Sequence, residues 1–498
     1  MRRIVILGGG TAGWMAAACL ARTLGVRGRS ITLVESDAIG TVGVGEATIP
    51  LIETFHRILG IDSAEIVREA EATFKLGIEF VDWGRRGSRY LHPFGMVGAD
   101  LNGAGFLQHW LRHRGEGGTS DLLDYNLETQ AVAAGRFGMV PARRPGDRQL
   151  HFAYHFDAAL YAAMLRCLAE SLGVVRIEGL VRGAERDAES GDVTALSLDD
   201  GREVPGDFFL DCSGFGGTLI ERTLAAGYDD WSRWLPCNRA IAVQSERLDD
   251  LPPFTRSTAR DAGWQWRIPL QHRTGNGHVF CDAFVSEDEA ADTLLAGLEG
   301  AAIGMPRTLR FVTGRRRRTW HHNVVALGLA GGFLEPLEST SIYMVQSALA
   351  KLLTLFPRAD RVDPAARDSF NAMMDAEWER VRDFIIAHYK VTTRDDTPFW
   401  AHCRAMAIPD SLAERLALFE REGIFVEQPH DLFKEGSWAS VLLGQGLMPE
   451  RHHPIADIAP RAALDAELAR MRAAIAARVA ELPSHAAYVD LCMNRAAA

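Results

Sequence analysis

Gly8, Gly10 and Gly13 stand in GxGxxG order, directly after the β-branched run at 4–7 and before a helical stretch at 14–24. A second apolar run, 31–34, ends in Glu35, 22 residues beyond Gly13. Strand, tight turn, helix and acid at these distances suit a dinucleotide. The glycines let backbone approach a pyrophosphate, the helix start around Thr11 and Ala12 offers N–H donors and a positive dipole, and the carboxylate accepts from ribose hydroxyls. The basic and apolar start also mimics an export signal, but four glycines interrupt its apolar segment.

Other reactive residues are ambiguous taken singly. Lys75, in FKLGIEF, reads as a solvated helix lysine, and Glu338, in FLEPLEST, as an acid near a helix start. Trp264 and Trp266 alternate, which places them on one face of a strand. His92, Pro93 and Phe94, in LHPFG, line a pocket or make an ordinary turn. The basic run at 315–318 reads as a solvated edge. The pairs His321–His322 and His452–His453 lack metal-ligand spacing, so no metal is expected.

The elements that must position these residues follow from the rest of the pattern. Residues 36–50 form a glycine-interrupted loop suited to lie against something flat or anionic. Helices are expected at 51–59 and 63–74, an irregular surface stretch at 95–118, and strands near Val174 and Val193. The strand at 207–210 runs into DCSGFGG, a second glycine turn beside Asp211, and a third strand-and-glycine unit starts at Val324 and includes Gly328. Between 240 and 284 lie β-type runs bounded by turns such as TGNG. Ser339 or Thr340 is placed to cap the apolar helix that follows. The last third is helical, with Leu464, Leu468, Met471, Ile475 and Val479 on one packing face. These segments predict an α/β fold. A discontinuous cofactor-binding domain takes 1–50, 150–220 and 310–360, and a substrate-binding region takes 51–149, 221–309 and 361–498.

The 498 residues are 47% hydrophobic and 24% charged, an ordinary globular balance. A net charge of −11 disfavours a phosphate backbone as partner, so no nucleic acid is expected. Seven scattered cysteines without CxxC spacing point to free thiols in a reducing, cytoplasmic setting. No uninterrupted apolar run of about 18 residues occurs, so no membrane span is expected.

Taken together the motifs resemble the flavin-dependent halogenases, the two-component enzymes related to tryptophan halogenases, along nearly the whole chain. GGGTAGW at 8–14 matches the FAD fingerprint, and GVGEATIP at 43–50 matches the strap along the flavin. WQWRIP at 264–269 has the WxWxIP form, the family's most specific signature. FLEPLEST at 333–340 matches the segment with the halide site and an active-site glutamate, and Lys75 aligns with the catalytic lysine. TRDDTPFW at 393–400 extends the match.

The resemblance implies an FAD-binding fold of the glutathione-reductase type, with an interleaved substrate region and a helical C-terminal part. It implies reduced FAD from a separate flavin reductase, reached by diffusion, and a halide ion, bromide or chloride, that becomes hypohalous acid. Lys75 would aim the electrophilic halogen at one ring carbon of a small aromatic substrate. Glu338 would stabilise the cationic ring or take its proton. FAD contacts would come from Gly8, Gly10, Thr11, Ala12, Gly13, Glu35, Gly43, Val44, Gly45, Glu46, Ala47, Asp211, Gly328 and Leu337. Backbone at Thr340 and Ser341 would hold the halide, Trp264 and Trp266 would fill space beside the flavin, and His92, Pro93, Phe94 and Trp438 would line the substrate pocket. A homodimer is a family-level expectation.

Two departures sharpen this reading. Position 341 is serine where the family usually has glycine, and a Cβ there costs something if the backbone needs positive φ or room for the ion. Since bromide is the easier halide to oxidise, this favours bromide. The stretch KEGSWASVLLGQGLMP, with Gly436, Ser437 and Trp438, lacks the tyrosine pair that holds free tryptophan in tryptophan halogenases, so an indole-like or larger aromatic substrate is expected. Two rivals stand beside the halogenase. One is a flavin hydroxylase, weakened because its usual Gly-Asp is replaced at Gly328, Leu329 and Ala330. The other is a flavin-binding protein without turnover, disfavoured by Lys75, Glu338 and WxWxIP.

Overall fold

The structure is a computed structural model that describes residues 1–39, 45–101, 103–142, 148–357 and 361–494. It divides into two units. The first comprises Met1–Ala72, Phe156–Asn238 and Leu309–Trp378, the second Thr73–His155, Arg239–Thr308 and Glu379–Ala498. The breaks after 72, 238 and 378 lie later than the 50, 220 and 360 expected from the sequence.

In the first unit, strand β1 (Arg3–Leu7) is central, flanked in parallel by β2 (Ser30–Glu35) and by Phe208–Asp211. The sheet continues in parallel to Val175–Glu178 on one side and Val324–Ala326 on the other, where Trp320–His321 closes it as an antiparallel edge. The β1 and 208–211 strands are almost wholly apolar because both faces of the sheet are covered. Helix α1 (Thr11–Leu24) lies against β1 and the helix Ala158–Ser171, and its Ala16, Ala17 and Ala18 are fully buried. A three-stranded antiparallel sheet over 181–205 joins Val5, Leu7, Val34, Leu196 and Phe209 in one apolar core. This is the expected α/β arrangement.

The second unit holds a mostly antiparallel sheet in the order Ala302–Arg310, Arg239–Glu246, Arg273–Phe280, Gly263–Pro269, Thr255–Arg260, Gly77–Val81, Arg89–Pro93. The pairing of 255–260 with 77–81 is parallel, while 239–246 with 273–280, 273–280 with 263–269, 263–269 with 255–260, and 77–81 with 89–93 are antiparallel. The C-terminal part is helical, and in the helix Arg461–Ala480 the five residues stepping from Leu464 to Val479 are the buried ones.

Four local expectations are corrected. The helix expected over 63–74 stops at Glu69, and Thr73–Lys75 is a strand paired with 153–155. Its period-2 pairing outweighs a helical apolar rhythm. The stretch 95–118 contains the helix Phe106–Gly115, with Phe106, Leu107, Trp110 and Leu111 buried. TGNG is not a turn but part of the strand Arg273–Phe280. Its Gly277 faces Trp266, and a Cβ there would lie 2.1 Å from the indole ring, so the bulky signature residue requires a glycine across the ladder. Finally, Arg315 and Arg316 are buried and not solvated. Arg315 pairs with Asp375 at 2.6 Å and Arg316 with Glu221 at 2.8 Å, which is how buried guanidinium is tolerated.

Among the described residues no helix is long and apolar enough to cross a membrane, and no cluster of three or more His, Cys, Asp or Glu could hold a metal. All seven cysteines are free thiols.

Candidate active site

The glycine turn of the first unit is built for backbone approach. Gly8 has φ +108°, and a Cβ on it would sit 2.3 Å from the Cys212 carbonyl oxygen. Gly13 packs so closely that a Cβ would lie 1.8 Å from the Gly8 oxygen. Gly10, by contrast, faces open space and is the N-cap of α1, where no side chain satisfies the first-turn N–H groups at Thr11, Ala12 and Gly13. Uncapped donors, the positive helix end and open room fit a pyrophosphate. Glu35 ends β2 beside this turn. Its Oε1 accepts from Arg176 Nε at 2.6 Å, and its Oε2 occupies the space where a Gly9 Cβ would stand. The acid is thus held against the turn, in the place a ribose-binding carboxylate needs.

The other expected cofactor contacts divide. Gly328 has φ +59°, and a Cβ there would come within 2.9 Å of Ala12 Cβ, so it meets the start of α1. Gly45, Glu46 and Ala47 form a short strand, and burial pushes the Glu46 carboxyl up to about 7. Gly43 and Val44 lie outside the described residues. Asp211 has a structural task of its own. It is fully buried, and its oxygens accept from Ser213 N–H and Oγ and from the N–H groups of Leu219 and Ile220 at 2.6–3.0 Å. All four carboxylate acceptor sites are used, so the Asp211 side chain holds the glycine turn. Leu337 is buried, at 1% exposure.

In the halide segment, Pro336–Glu338 makes one 3₁₀ turn and Ser339 takes φ +58°. Thr340 is then the N-cap of the helix Ser341–Leu355 and makes no side-chain cap bond. Glu338, Ser339 and Thr340 are all buried. A buried helix start with uncapped N–H donors suits a small anion. The positive φ belongs to Ser339, while Ser341 is ordinary helix, so its Cβ brings no backbone strain. Glu377 accepts from Tyr343 OH, Ser347 Oγ and Lys351 Nζ at 2.5–2.8 Å and fixes the rotation of this helix.

In the second unit, Lys75 ends the strand Thr73–Lys75 and is fully buried, with Nζ 5.4 Å from the centre of the Phe94 ring. The helix-surface reading of Lys75 is therefore wrong. Thr73 Oγ1 donates to the Pro269 carbonyl at 2.8 Å, so the last residue of WQWRIP anchors the lysine strand. With that proton spent, Thr73 Oγ1 accepts from His155 Nδ1 at 3.1 Å, and His155 Nε2 accepts from Thr255 Oγ1 at 2.8 Å. Burial, and after it the Lys75 charge, pulls the His155 pKa well below the usual value, so the ring is neutral and Nε2, without a proton, is the acceptor. Phe94 is fixed at both ends, its N–H donating to Leu76 O at 2.8 Å and its carbonyl accepting from Asn126 Nδ2 at 2.9 Å.

Trp264 and Trp266 share a face of their strand, with ring centroids 6.1 Å apart. Trp264 is fully buried against Trp83 at 6.4 Å. His92 is buried beside Phe384 and Phe433 at 5.6 and 5.9 Å, and Pro93 is buried next to it. Trp438 does not line an open pocket. At 1% exposure it packs on Phe384, Phe425 and the Arg415 guanidinium, an aromatic cluster that buries a side chain of this size favourably.

Comparison with known proteins shows the family of the chain. The tryptophan halogenase family model matches residues 3–461. The chain is 34% identical to the tryptophan 6-halogenase SttH of Streptomyces toxytricini, covering 98% of this chain and 97% of that one. Among solved structures, a flavin-dependent halogenase from Xanthomonas campestris is 48% identical with TM-score 0.96, covering 100% of this chain and 99% of that one. BrvH, a flavin-dependent halogenase from Brevundimonas sp. BAL3, is 46% identical with TM-score 0.94 and 99% coverage of both chains.

The chain belongs to the tryptophan halogenase family. It is a flavin-dependent halogenase, an oxidoreductase that uses reduced FAD from a separate reductase, a halide ion and an aromatic substrate. In this halogenase, reading the sequence alone missed Thr73, His155, Thr255 and Asn126, the groups that brace Lys75 and Phe94. The one available signal was the polar residue two positions before Lys75, on the same strand face. The rest are remote in sequence.

Proposed function

We propose that this halogenase acts on an indole-like or larger aromatic ring in preference to free tryptophan, and on bromide in preference to chloride. Lys75 aims the halogen and Glu338 takes the ring proton. The setting of Lys75 carries this reading: a wholly buried amine on a braced strand, beside an aromatic ring, is held where oxidant can be directed and kept from water. Bound reduced FAD, with oxygen and halide, supplies the hypohalous oxidant. The chain's own contributions are a pyrophosphate cradle at Gly8–Gly13, an anion-suited helix start at Thr340 and Ser341, and the amine of Lys75. Glu338 offers the base for the last proton.

Two features support the substrate and halide choices. The helix Glu435–Gly444 carries no tyrosine, and its Trp438 is spent in packing, so this stretch offers no clamp for an ammonium and carboxylate. The serine at 341 adds a Cβ and hydroxyl at the helix start, which narrows the space there, and bromide is the easier ion to oxidise. Free cysteines fit a reducing, cytoplasmic setting. With equal bromide and chloride and indole as substrate, brominated product should exceed chlorinated several-fold by mass spectrometry. Equal yields would remove the halide preference, and tight saturable tryptophan binding in calorimetry would remove the substrate reading.

A further inference from the structure

The helix His485–Met493 lies beyond the segment matched by the family model, yet its first residue reaches the lysine strand. His485 Nδ1 is 2.6 Å from the Leu251 carbonyl oxygen, which can only accept, so Nδ1 carries the proton. The Phe74 N–H, which can only donate, points at Nε2 at 3.0 Å, so Nε2 is a lone pair. The two backbone partners therefore fix a single neutral tautomer. Burial lowers the pKa of this ring to about 4, so it stays neutral at working pH.

The ring is clamped as well as bonded. It packs edge-on against Phe74 and Phe137, at 6.1 and 6.0 Å, and Phe74 itself stacks on Phe137 at 4.1 Å and meets Tyr488 of the same C-terminal helix at 5.5 Å. The helix start is tied down by His485 N–H donating to Gly135 O at 3.0 Å and by Phe137 N–H donating to Pro483 O at 3.2 Å. Side chains alternate along a strand, so Phe74 faces this cluster while Thr73 and Lys75 face the other way. Thr73 is held there by Pro269 and His155. The short lysine strand is thus gripped on both faces, and the grip on the Phe74 face comes from the C-terminal helix.

We infer that His485 is a positioning residue for Lys75: by accepting the Phe74 N–H it fixes the backbone immediately before the lysine, so that halogen delivery depends on the C-terminal helix. The inference rests on the proposed role of Lys75. A loosened lysine strand should leave halide oxidation intact and spoil its use.

The test measures two outputs of the FAD- and reductase-supplied enzyme with bromide. One is brominated indole, and the other is total bromide-dependent oxidant trapped on an added thioether. His485→Leu removes the acceptor, His485→Gln keeps an oxygen near the Nε2 position, and Lys75→Ala reports the lysine directly. The expected result is a tenfold or greater fall in product per oxidant for His485→Leu, with oxidant formation within about twofold of wild type, and recovery of most of the ratio by His485→Gln. An unchanged ratio in His485→Leu, while Lys75→Ala lowers it, overturns the inference alone. Parallel loss of oxidant and product in both histidine variants marks a merely structural residue and also overturns it. An undiminished ratio in Lys75→Ala overturns the lysine reading and this inference with it.

Discussion

Lys75 shows how little a residue's own type says about its role. Its letter and local rhythm describe a solvated helix lysine, and only the motif FKLGIEF marked it out. What makes it useful is supplied by partners far away in sequence, Pro269, Thr255, His155 and His485, which cannot be found from spacing. Those histidines also give the protein a pH signature. His278 and His485 are each lowered to about 4 by burial, and His155 and His56 are lowered for the same reason. A histidine whose folded pKa is depressed contributes stability that is complete above its unfolded pKa near 6.5 and is lost as pH falls toward the folded value. Glu46, raised to about 7, acts with the opposite sign between 4.5 and 7, and one carboxyl offsets one histidine. His321 is also lowered to about 4, whereas Glu65 and Glu435, raised by burial, and His151, raised by its bond to Glu128, act in the same direction as Glu46. Among the described residues five lowered histidines thus face four opposing groups. Unfolding free energy from urea titration should therefore fall between pH 7 and pH 5, by up to about 1.4 kcal/mol per pH unit for each uncompensated histidine. Constant or rising stability over that interval would contradict the assigned neutral tautomers.

At the scale of elements, the nucleotide-type unit was legible because its requirements are local. A β-branched strand, a GxGxxG turn and an acid at fixed distance specify β1, α1 and β2 almost without tertiary help. The sheet of the second unit was less so. TGNG looks like a turn by composition, yet it runs through the strand Arg273–Phe280 because Gly277 must leave room for Trp266 on the neighbouring strand. Glycine content reported a packing constraint and was read as a bend. The helix at 106–115 was hidden in the same way by its glycine-rich flanks. Gly277→Ala should then cost about 1–3 kcal/mol through overpacking against the indole. Gly183→Ala, on a strand where a Cβ meets nothing within 4 Å, should change stability by no more than about 0.5 kcal/mol. Equal effects in urea unfolding would mean that Gly277 is not there for Trp266.

For the whole molecule, the chain is an ordinary acidic α/β protein whose composition says little about its function. Its identity comes from the order of several motifs, which the family match over 3–461 bears out. Neither the tyrosine-free helix Glu435–Gly444 nor Ser341 alters the fold, and the two are the grounds of the proposed ring and halide preferences. The measurement closest to the central claim is product mass spectrometry on indole with FAD, a generic flavin reductase, oxygen, bromide and catalase, for the wild type and Lys75→Ala. The account predicts a bromine isotope doublet on the wild-type product and at least a tenfold loss of it in Lys75→Ala, with bromide-dependent oxidant still formed. Halogen-free hydroxylated indole, or bromination undiminished without Lys75, would contradict it.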